Sequence, residues 1–296
     1  MDLEKLKRII DTISLPRYVR FVAETGKRTC NACQRYDGRV FAESDTNKPH
    51  LPIHPNCRCR YELVQMTSKN IGFQTEKGEI AATLKSLHSL SDETAAELAE
   101  QTIIARMENG VLEKEKLFLL FNGRYLMSSD GQLLLDAVAG KAVEKKKKTT
   151  DVSFAQEKEE DFFTFDYSYA RQEIKNEGGI PRGLYQMSCR ESGSLAHGNV
   201  RKHLVGTISW GHYHWCLTPF PDTDMRGRDR KSFTIHGGHI PESGGCIDLT
   251  GGDISFKKYL DRIDKDSVTV CVRYASDEVT VVKQRFVQSP FSPVLY

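Results

Sequence analysis

Cys246 and His236 are the two residues of this sequence best suited to covalent chemistry. A strand-like run at 233–235 leads into His236, and a loop rich in glycine separates it from Cys246. A cysteine attacks an acyl group as its thiolate, and because a free thiol titrates at about pH 8.5 it needs a base close by. Cys246 is therefore a candidate nucleophile and His236 a candidate base, with His239 in the loop as a rival base.

Glycines adjoin both reactive residues. Gly244 and Gly245 come directly before Cys246, and Gly237 follows His236. A glycine leaves backbone N–H groups open to the oxyanion that develops when a carbonyl is attacked. We therefore predict oxyanion donors at Gly245 and Cys246, and we expect a backbone carbonyl near Gly237 to orient the imidazole, because no acidic residue of the segment is an obvious partner. On spacing alone, a turn that buries an unreactive thiol is the better fit.

Two short runs carry a resemblance to a known family: Ile-His-Gly at 235–237 and Ser-Gly-Gly-Cys-Ile-Asp-Leu at 243–249. They resemble the active-site signature of L,D-transpeptidases, and most closely that of the L,D-transpeptidase-like effectors delivered by type VI secretion systems. Similar stretches at 121–141 and 178–185 extend the resemblance to about residues 116–275, in the same order.

The resemblance implies a specific reaction without a catalytic cofactor. Cys246 would form a thioester with a peptidoglycan stem peptide at a diaminopimelate carbonyl, with His236 as base and Gly237 and Gly245 completing the catalytic segment. Release to water would make the protein an L,D-carboxypeptidase, and release to an amine would make it a transpeptidase or D-amino-acid exchanger. The residues that we expect to contact the substrate are Ser243, Gly244, His239, Asp248, Tyr213 and Trp210.

The sequence departs from the family pattern at two positions. Many cell-wall L,D-transpeptidases have a histidine where Gly244 stands and an arginine where Asp248 stands. Asp248 reverses the charge at a position that helps to hold an acidic stem peptide. This departure favours the effector branch over the housekeeping cross-linking enzymes.

An aromatic and imidazole cluster, residues 210–215, lies upstream of the site. Alternate residues of a strand share a face, so His212 and His214 could point the same way and chelate a metal. Aromatic packing beside the site is the interpretation that we favour.

The sequence near the N-terminus contains a second set of reactive side chains. Cys30 and Cys33 form a C-x2-C pair, and His54, Cys57 and Cys59 form H-x2-C-x-C. These spacings suit a structural zinc ion, with five candidates for four places. Two disulfides, or thiols without a metal, are the alternatives.

The same segment resembles the C-terminal part of phage Mu head-morphogenesis protein F. The resemblance is carried by residues 37–41 and 51–59 and covers about 40 residues. It implies a phage-derived module without catalytic activity, which we expect to serve loading or delivery.

Composition limits the partners. The 296 residues include 42 basic and 40 acidic side chains, for a net charge of +2, which gives no reason to expect nucleic acid or a membrane surface. No apolar run is long enough to insert into a membrane, and the charged first residues lack the apolar core of a secretory signal. We therefore expect a protein made in the cytoplasm without a signal peptide, which either works there or leaves by a route that needs no such signal. The resemblance to type VI effectors implies secretion by that machine and action in the target-cell periplasm. It also implies a secretion-system component, a periplasmic immunity protein and peptidoglycan stem peptides as partners.

The predicted fold class is α+β. Residues 1–66 are the Cys/His-rich module, 67–115 a helical linker, and 116–296 a mostly β, L,D-transpeptidase-like catalytic domain. Helices are predicted at 3–15, 91–109 and 254–263, a hairpin around Asn122-Gly123, and a mobile surface loop at 144–160. Further strands are predicted at 183–187, 205–210, 233–235, 268–274 and 279–287.

The favoured function is an interbacterial toxin that attacks peptidoglycan. Two alternatives compete with it: a phage-derived structural or morphogenesis protein without catalysis, and a housekeeping L,D-transpeptidase, which needs an export route that the N-terminal residues do not supply.

Overall fold

A computed structural model describes residues 17–24, 30–64, 68–153, 156–190, 210–227, 233–238 and 240–288. The chain divides into two compact units. The first comprises Met1–Gly78 with Glu100–Lys114, and the second Glu79–Ala99 with Glu115–Tyr296. The predicted helix at 3–15 and most of the predicted strand at 205–210 lie outside the described residues.

The first unit contains a small antiparallel sheet. Its elements are β1 (Tyr18–Val22), α1 (Asn31–Gln34), β2 (Val40–Ala42) and β3 (Arg60–Leu63), and the strand order is β2-β1-β3. Phe21, Phe41 and Cys33 are buried between these elements, and Tyr61 packs against them. So small a core gives limited stability by itself, which is why the cysteine-rich turns around it matter.

Two helices, α2 (Ser68–His88) and α3 (Asp92–Glu108), are each divided between the units. The predicted helix at 91–109 is confirmed as α3, and the Ser91 hydroxyl caps it by accepting the Thr94 N–H at 3.2 Å. Helix α2 was not predicted separately, because Gly72 and Gly78 interrupt its side-chain pattern. No helix in the described ranges is both long and apolar enough to cross a membrane.

The second unit is built on a mixed sheet of nine strands. Its elements in chain order are β4 (Leu119–Phe121), β5 (Tyr125–Ser128), β6 (Leu134–Asp136), β7 (Val138–Ala139), β8 (Glu144–Ser153), β9 (Gln156–Asp166), α4 (Tyr169–Gln172), β10 (Gly183–Ser188), β11 (His214–Pro219), β12 (Phe233–His236), β13 (Ile247–Asp248), α5 (Asp253–Ile263), β14 (Ser267–Val272) and β15 (Glu278–Gln288). The strand order is β6-β5-β4-β14-β10-β11-β12-β13-β7. Only Ala137 separates the two edge strands β6 and β7, so the sheet curls round until its edges almost meet and forms a near-barrel.

Short-range signals placed several of these strands correctly. In the predicted hairpin, the Asn122 side-chain oxygen accepts the N–H groups of Arg124 at 2.9 Å and Tyr125 at 2.8 Å, and Gly123 supplies a φ of +98°. The predictions at 183–187, 233–235, 268–274 and 279–287 correspond to β10, β12, β14 and β15, and the helix at 254–263 is α5. The α+β class, mostly β in the second unit, is confirmed at this level.

The prediction of a loop at 144–160 is wrong. Strands β8 and β9 occupy most of this stretch and form a second, three-stranded sheet with β15 in the order β15-β9-β8. Opposite charges, which suggested a solvated loop, face each other across the strands: Lys148 is opposite Glu160, and Lys147 lies 2.8 Å from Glu159. Such cross-strand pairs support a ladder.

Candidate active site

The pairing of β12 with β13 brings His236 and Cys246 to one face of the sheet. The two strands are parallel, and His236 lies directly opposite Asp248. Because alternate strand residues share a face, Thr234 and His236 point to the same side as Cys246 and Asp248, and the isoleucines between them turn into the core. With ordinary strand spacing, the Cα atoms of His236 and Cys246 are about 8 Å apart, which a cysteine and a histidine side chain can bridge.

The sulfur of Cys246 lies below the surface, next to a hydroxyl group. The Thr234 Oγ1 donates a hydrogen bond to the Cys246 Sγ at 3.1 Å. Cys246 and His236 are each only 2% exposed. Gly245 enters the cysteine with a φ of +105°, a conformation that favours glycine.

Trp210 packs on the His236 imidazole, with ring centroids 4.7 Å apart. The turn after Trp210 is held by the carboxylate of Asp253, which accepts the N–H groups of His212 and Tyr213 at 2.5 and 3.0 Å. This carboxylate is almost fully buried at the first residue of α5. Sequence reasoning missed Asp253, although an acidic residue at the start of a predicted helix was the available signal.

Close approach of the backbones fixes the same turn against the histidine strand. Gly211 has a φ of +67°, and a side chain on it would collide with the carbonyl oxygen of Gly237 and with Asp253. Gly237 in turn packs directly on the Asp253 side chain. The structure thus gives Gly237 a role in close packing, in addition to the catalytic role predicted for it.

Asp248 is fully buried beneath the loop that follows His236. Its Oδ1 accepts the N–H groups of Gly238 at 3.1 Å and Thr250 at 2.7 Å. Burial raises the pKa of this carboxyl to about 7, although those two hydrogen bonds and the nearby Lys283 oppose the shift. Asp248 therefore supports the loop after His236, and its buried carboxyl group is not accessible to a peptide. Strand pairing also sets an acidic residue beside His236, a neighbour that the linear sequence did not reveal.

Ser243 ties the nucleophile loop to the end of β7. Its hydroxyl accepts the Gly140 N–H at 2.9 Å and donates to the carbonyl oxygen of Cys246, and its own N–H bonds to the Gly140 carbonyl at 2.9 Å. Gly244, by contrast, is exposed, and a side chain on it would make only ordinary contact with Asn176. His239, the rival base, lies outside the described residues.

The aromatic cluster packs as predicted. Tyr213 is half-buried against the core, with its ring centroid 6.2 Å from that of Trp215. The His212 Nδ1 is 3.7 Å from the Asp253 carboxylate, and His214 lies opposite His236 on β11. Within the described ranges, no group of three candidate metal ligands includes either histidine.

All five predicted metal ligands come together in the first unit. The sulfurs of Cys30 and Cys33 are each 3.1 Å from the His54 Nε2, and the Cys33 and Cys57 sulfurs are 3.8 Å apart. Cys59 joins Cys33 and Cys57 in a second group whose ligand atoms lie within 4.8 Å of one another. Cys33 belongs to both groups and is the centre of the cluster.

The geometry of the cluster fits a tetrahedral metal ion better than disulfides. A disulfide joins sulfurs about 2.05 Å apart, whereas two thiolates on one zinc ion, each bound at about 2.3 Å, are about 3.8 Å apart. The His54 Nδ1–H donates to the Pro55 carbonyl at 2.8 Å, which leaves Nε2 to act as the ligand. Burial opposes ionisation of Cys57, but hydrogen bonds from backbone N–H groups of Cys59 and Ile53 outweigh it and lower its pKa to about 7.

Comparison with protein-family models and with curated proteins finds no match to this chain. The chemistry available to the site follows from its geometry. A thiol, an imidazole on the same sheet face and a glycine turn before the thiol are compatible with acyl transfer through a thioester.

Proposed function

We propose that this protein is an interbacterial toxin that cleaves or rearranges peptidoglycan stem peptides by cysteine nucleophilic catalysis. The observation that carries the proposal is the parallel pairing of β12 with β13, which sets His236 and Cys246 on one face of neighbouring strands. A nucleophile and a base must meet in this way for thiolate attack. The resemblance of residues 116–275 to L,D-transpeptidase-like effectors supplies the substrate class.

In the proposed reaction, His236 removes the thiol proton and the Cys246 thiolate attacks the diaminopimelate carbonyl. The carbonyl oxygen becomes an oxyanion that backbone N–H groups at Gly245 and Cys246 stabilise. The C–N bond then breaks, the imidazolium protonates the departing D-alanine amine, and a thioester remains. Water resolves the thioester in the L,D-carboxypeptidase reaction, and an amine resolves it in transpeptidation or D-amino-acid exchange.

The proposed setting is delivery by a secretion machine into the periplasm of a target cell. The first unit, with its resemblance to a phage Mu protein, would serve loading onto a secretion-system component. A periplasmic immunity protein would then protect the producing cell. Removal of residues 1–66 is expected to abolish export of the protein from producing cells.

Purified muropeptides test the reaction directly. The full chain is incubated with disaccharide-tetrapeptide, and the products are identified by mass spectrometry. Loss of the terminal D-alanine is expected with the wild type and is expected to disappear in Cys246→Ala and His236→Ala. Cys216→Ser is the matched control, because Cys216 is an exposed thiol on β11 that the mechanism does not use. Unchanged muropeptides with folded wild-type protein would reject the proposal.

The Cys/His cluster is proposed to hold one structural zinc ion. Cys30, Cys33 and His54 form one group and supply three ligands. We assign Cys57 as the fourth because its sulfur is 3.8 Å from that of Cys33, and binding of the ion would draw it toward the other two ligands. Cys59 is the spare residue. Metal analysis of the purified full chain is expected to find one zinc per chain, and protein that folds and binds no metal under zinc-replete conditions would contradict this assignment.

A further inference from the structure

Thr234 occupies a position that the proposed mechanism leaves unused. It lies on β12 two residues before His236 and therefore on the same face of the sheet. Its hydroxyl group donates to the Cys246 sulfur at 3.1 Å. A β-branched side chain has few rotamers, so the backbone of β12 holds this hydroxyl in place.

We propose that Thr234 is a further catalytic residue, whose hydroxyl group stabilises the thiolate form of Cys246. Its part in catalysis rests on the function proposed above, whereas the hydrogen bond to the sulfur does not. A buried anion loses its hydration and needs donors to replace it. A hydrogen bond to the charged form of a group favours that form. Thr234 is a side-chain donor that lies within hydrogen-bonding distance of the sulfur.

The donor matters at two points of the reaction. When the thiolate attacks, the new sulfur–carbon bond removes the charge from sulfur, and the hydroxyl loses its strong acceptor. When water or an amine displaces the thioester, that bond breaks and the sulfur leaves as a thiolate, which Thr234 again stabilises. The imidazole of His236 carries the proton in both half-reactions, so the hydroxyl serves as a fixed donor and is not consumed.

Valine is the substitution that removes the Thr234 hydroxyl group and keeps the shape of the side chain. Valine has nearly the same shape and the same preference for strands, and it avoids placing a hydroxyl group on a buried sulfur. The comparison of Thr234 with valine therefore isolates one hydrogen bond.

The test is the rate at which Cys246 is alkylated by iodoacetamide across pH 5.5 to 9.5, since the thiolate is the reactive form. Full-length wild type, Thr234→Val and Thr234→Ser are compared, and modification of Cys246 is followed by peptide mass spectrometry. Thr234→Val is expected to react about tenfold more slowly at pH 7, with the midpoint of its pH profile about one unit higher, which is the scale of a hydrogen bond to an anion. Thr234→Ser keeps the donor and is expected to resemble the wild type.

Cys189 in the same samples is the internal control. It follows β10 and is not a cross-strand partner of Thr234, so its alkylation rate is expected to be equal in all three proteins. An unchanged profile in Thr234→Val would overturn the proposal. So would equal slowing in Thr234→Ser, because that result would make the methyl group the important part. If Thr234→Val does not fold, Thr234→Ala replaces it in the same comparison. Expected alkylation profiles in a wild type that leaves muropeptides intact would uphold the hydrogen bond and reject peptidoglycan as the substrate.

Discussion

The Cys/His cluster of the first unit and the Cys246 site of the second use the same two residue types in different ways. In the cluster, five ligand atoms from short turns converge around Cys33, one more than a tetrahedral ion needs. At the Cys246 site, one sulfur and one imidazole come from neighbouring strands. The cluster has one more candidate metal ligand than it needs, whereas the Cys246 site has one candidate nucleophile and one candidate base on these strands.

This difference decides how each region responds to substitution. A metal site with one extra ligand tolerates loss of that ligand. It does not tolerate loss of a ligand that both groups of candidate ligands share. A nucleophile has no substitute, and its environment depends on buried residues that hold the strands and loops around it. The predictions below test the two halves of this comparison.

The largest effect is expected at the centre of the cluster. Cys33→Ser removes the sulfur that both ligand groups share and should abolish stoichiometric zinc binding in the full chain. Cys59→Ser is the matched control and should retain one zinc per chain, because Cys30, Cys33, His54 and Cys57 remain. Metal content is measured by mass spectrometry after gel filtration. Loss of zinc from Cys59→Ser, or its retention by Cys33→Ser, would remove the basis for calling Cys59 the spare donor.

The brace beneath the histidine loop should make the second unit sensitive to pH. Burial raises the pKa of Asp248 to about 7, whereas an unfolded aspartate titrates near about 3.9. Between these pH values the folded state keeps a proton that the unfolded state has lost. The stabilisation of the folded state by this proton is lost as pH rises from about 4 to about 7. The loss amounts to about 1.4 kcal/mol for each pKa unit of difference.

Asp248→Asn isolates this contribution, because its side-chain oxygen can still accept the N–H groups of Gly238 and Thr250. Both tryptophans of the chain, Trp210 and Trp215, lie in the second unit, so their fluorescence during urea unfolding reports that unit. The wild type should lose several kcal/mol more than the variant between pH 4.5 and pH 7.5. Parallel pH profiles for the two proteins would show that Asp248 keeps an ordinary pKa.

The sequence predicted the cluster more completely than the candidate active site for a physical reason. Cys30 with Cys33, and His54 with Cys57, are separated by two residues each, so a single turn brings each pair together. The His236 strand was also predictable, because a short apolar run ends at it. Asp248 escaped notice as a neighbour of His236, because only the pairing of β12 with β13 brings the two side by side.

The errors have causes of the same kind. Residues 144–160 read as a loop because their charges are dense, yet paired strands satisfy those charges across the ladder, as Lys147 and Glu159 do. Strand β11 was not predicted. It overlaps the aromatic cluster by only two residues, His214 and Trp215, and its partners β10 and β12 are distant in sequence. Long-range pairing is the information that local patterns lack.

The smallest of the expected effects concerns Asp253, which holds the turn beneath Trp210. Asp253→Ala leaves the part-buried N–H groups of His212 and Tyr213 without this acceptor, which should lower the free energy of unfolding of the second unit by about 2 kcal/mol. Asp253→Asn keeps one side-chain oxygen and should lose less. Tryptophan fluorescence during urea unfolding gives both values, and zinc content should not change in either variant, since the cluster lies in the other unit. If neither variant changes the urea midpoint of the wild type, the hydrogen bonds to Asp253 do not stabilise the turn. The contrast between a Cys246 site that depends on buried supporting residues and a metal cluster with an extra ligand would then lose its support.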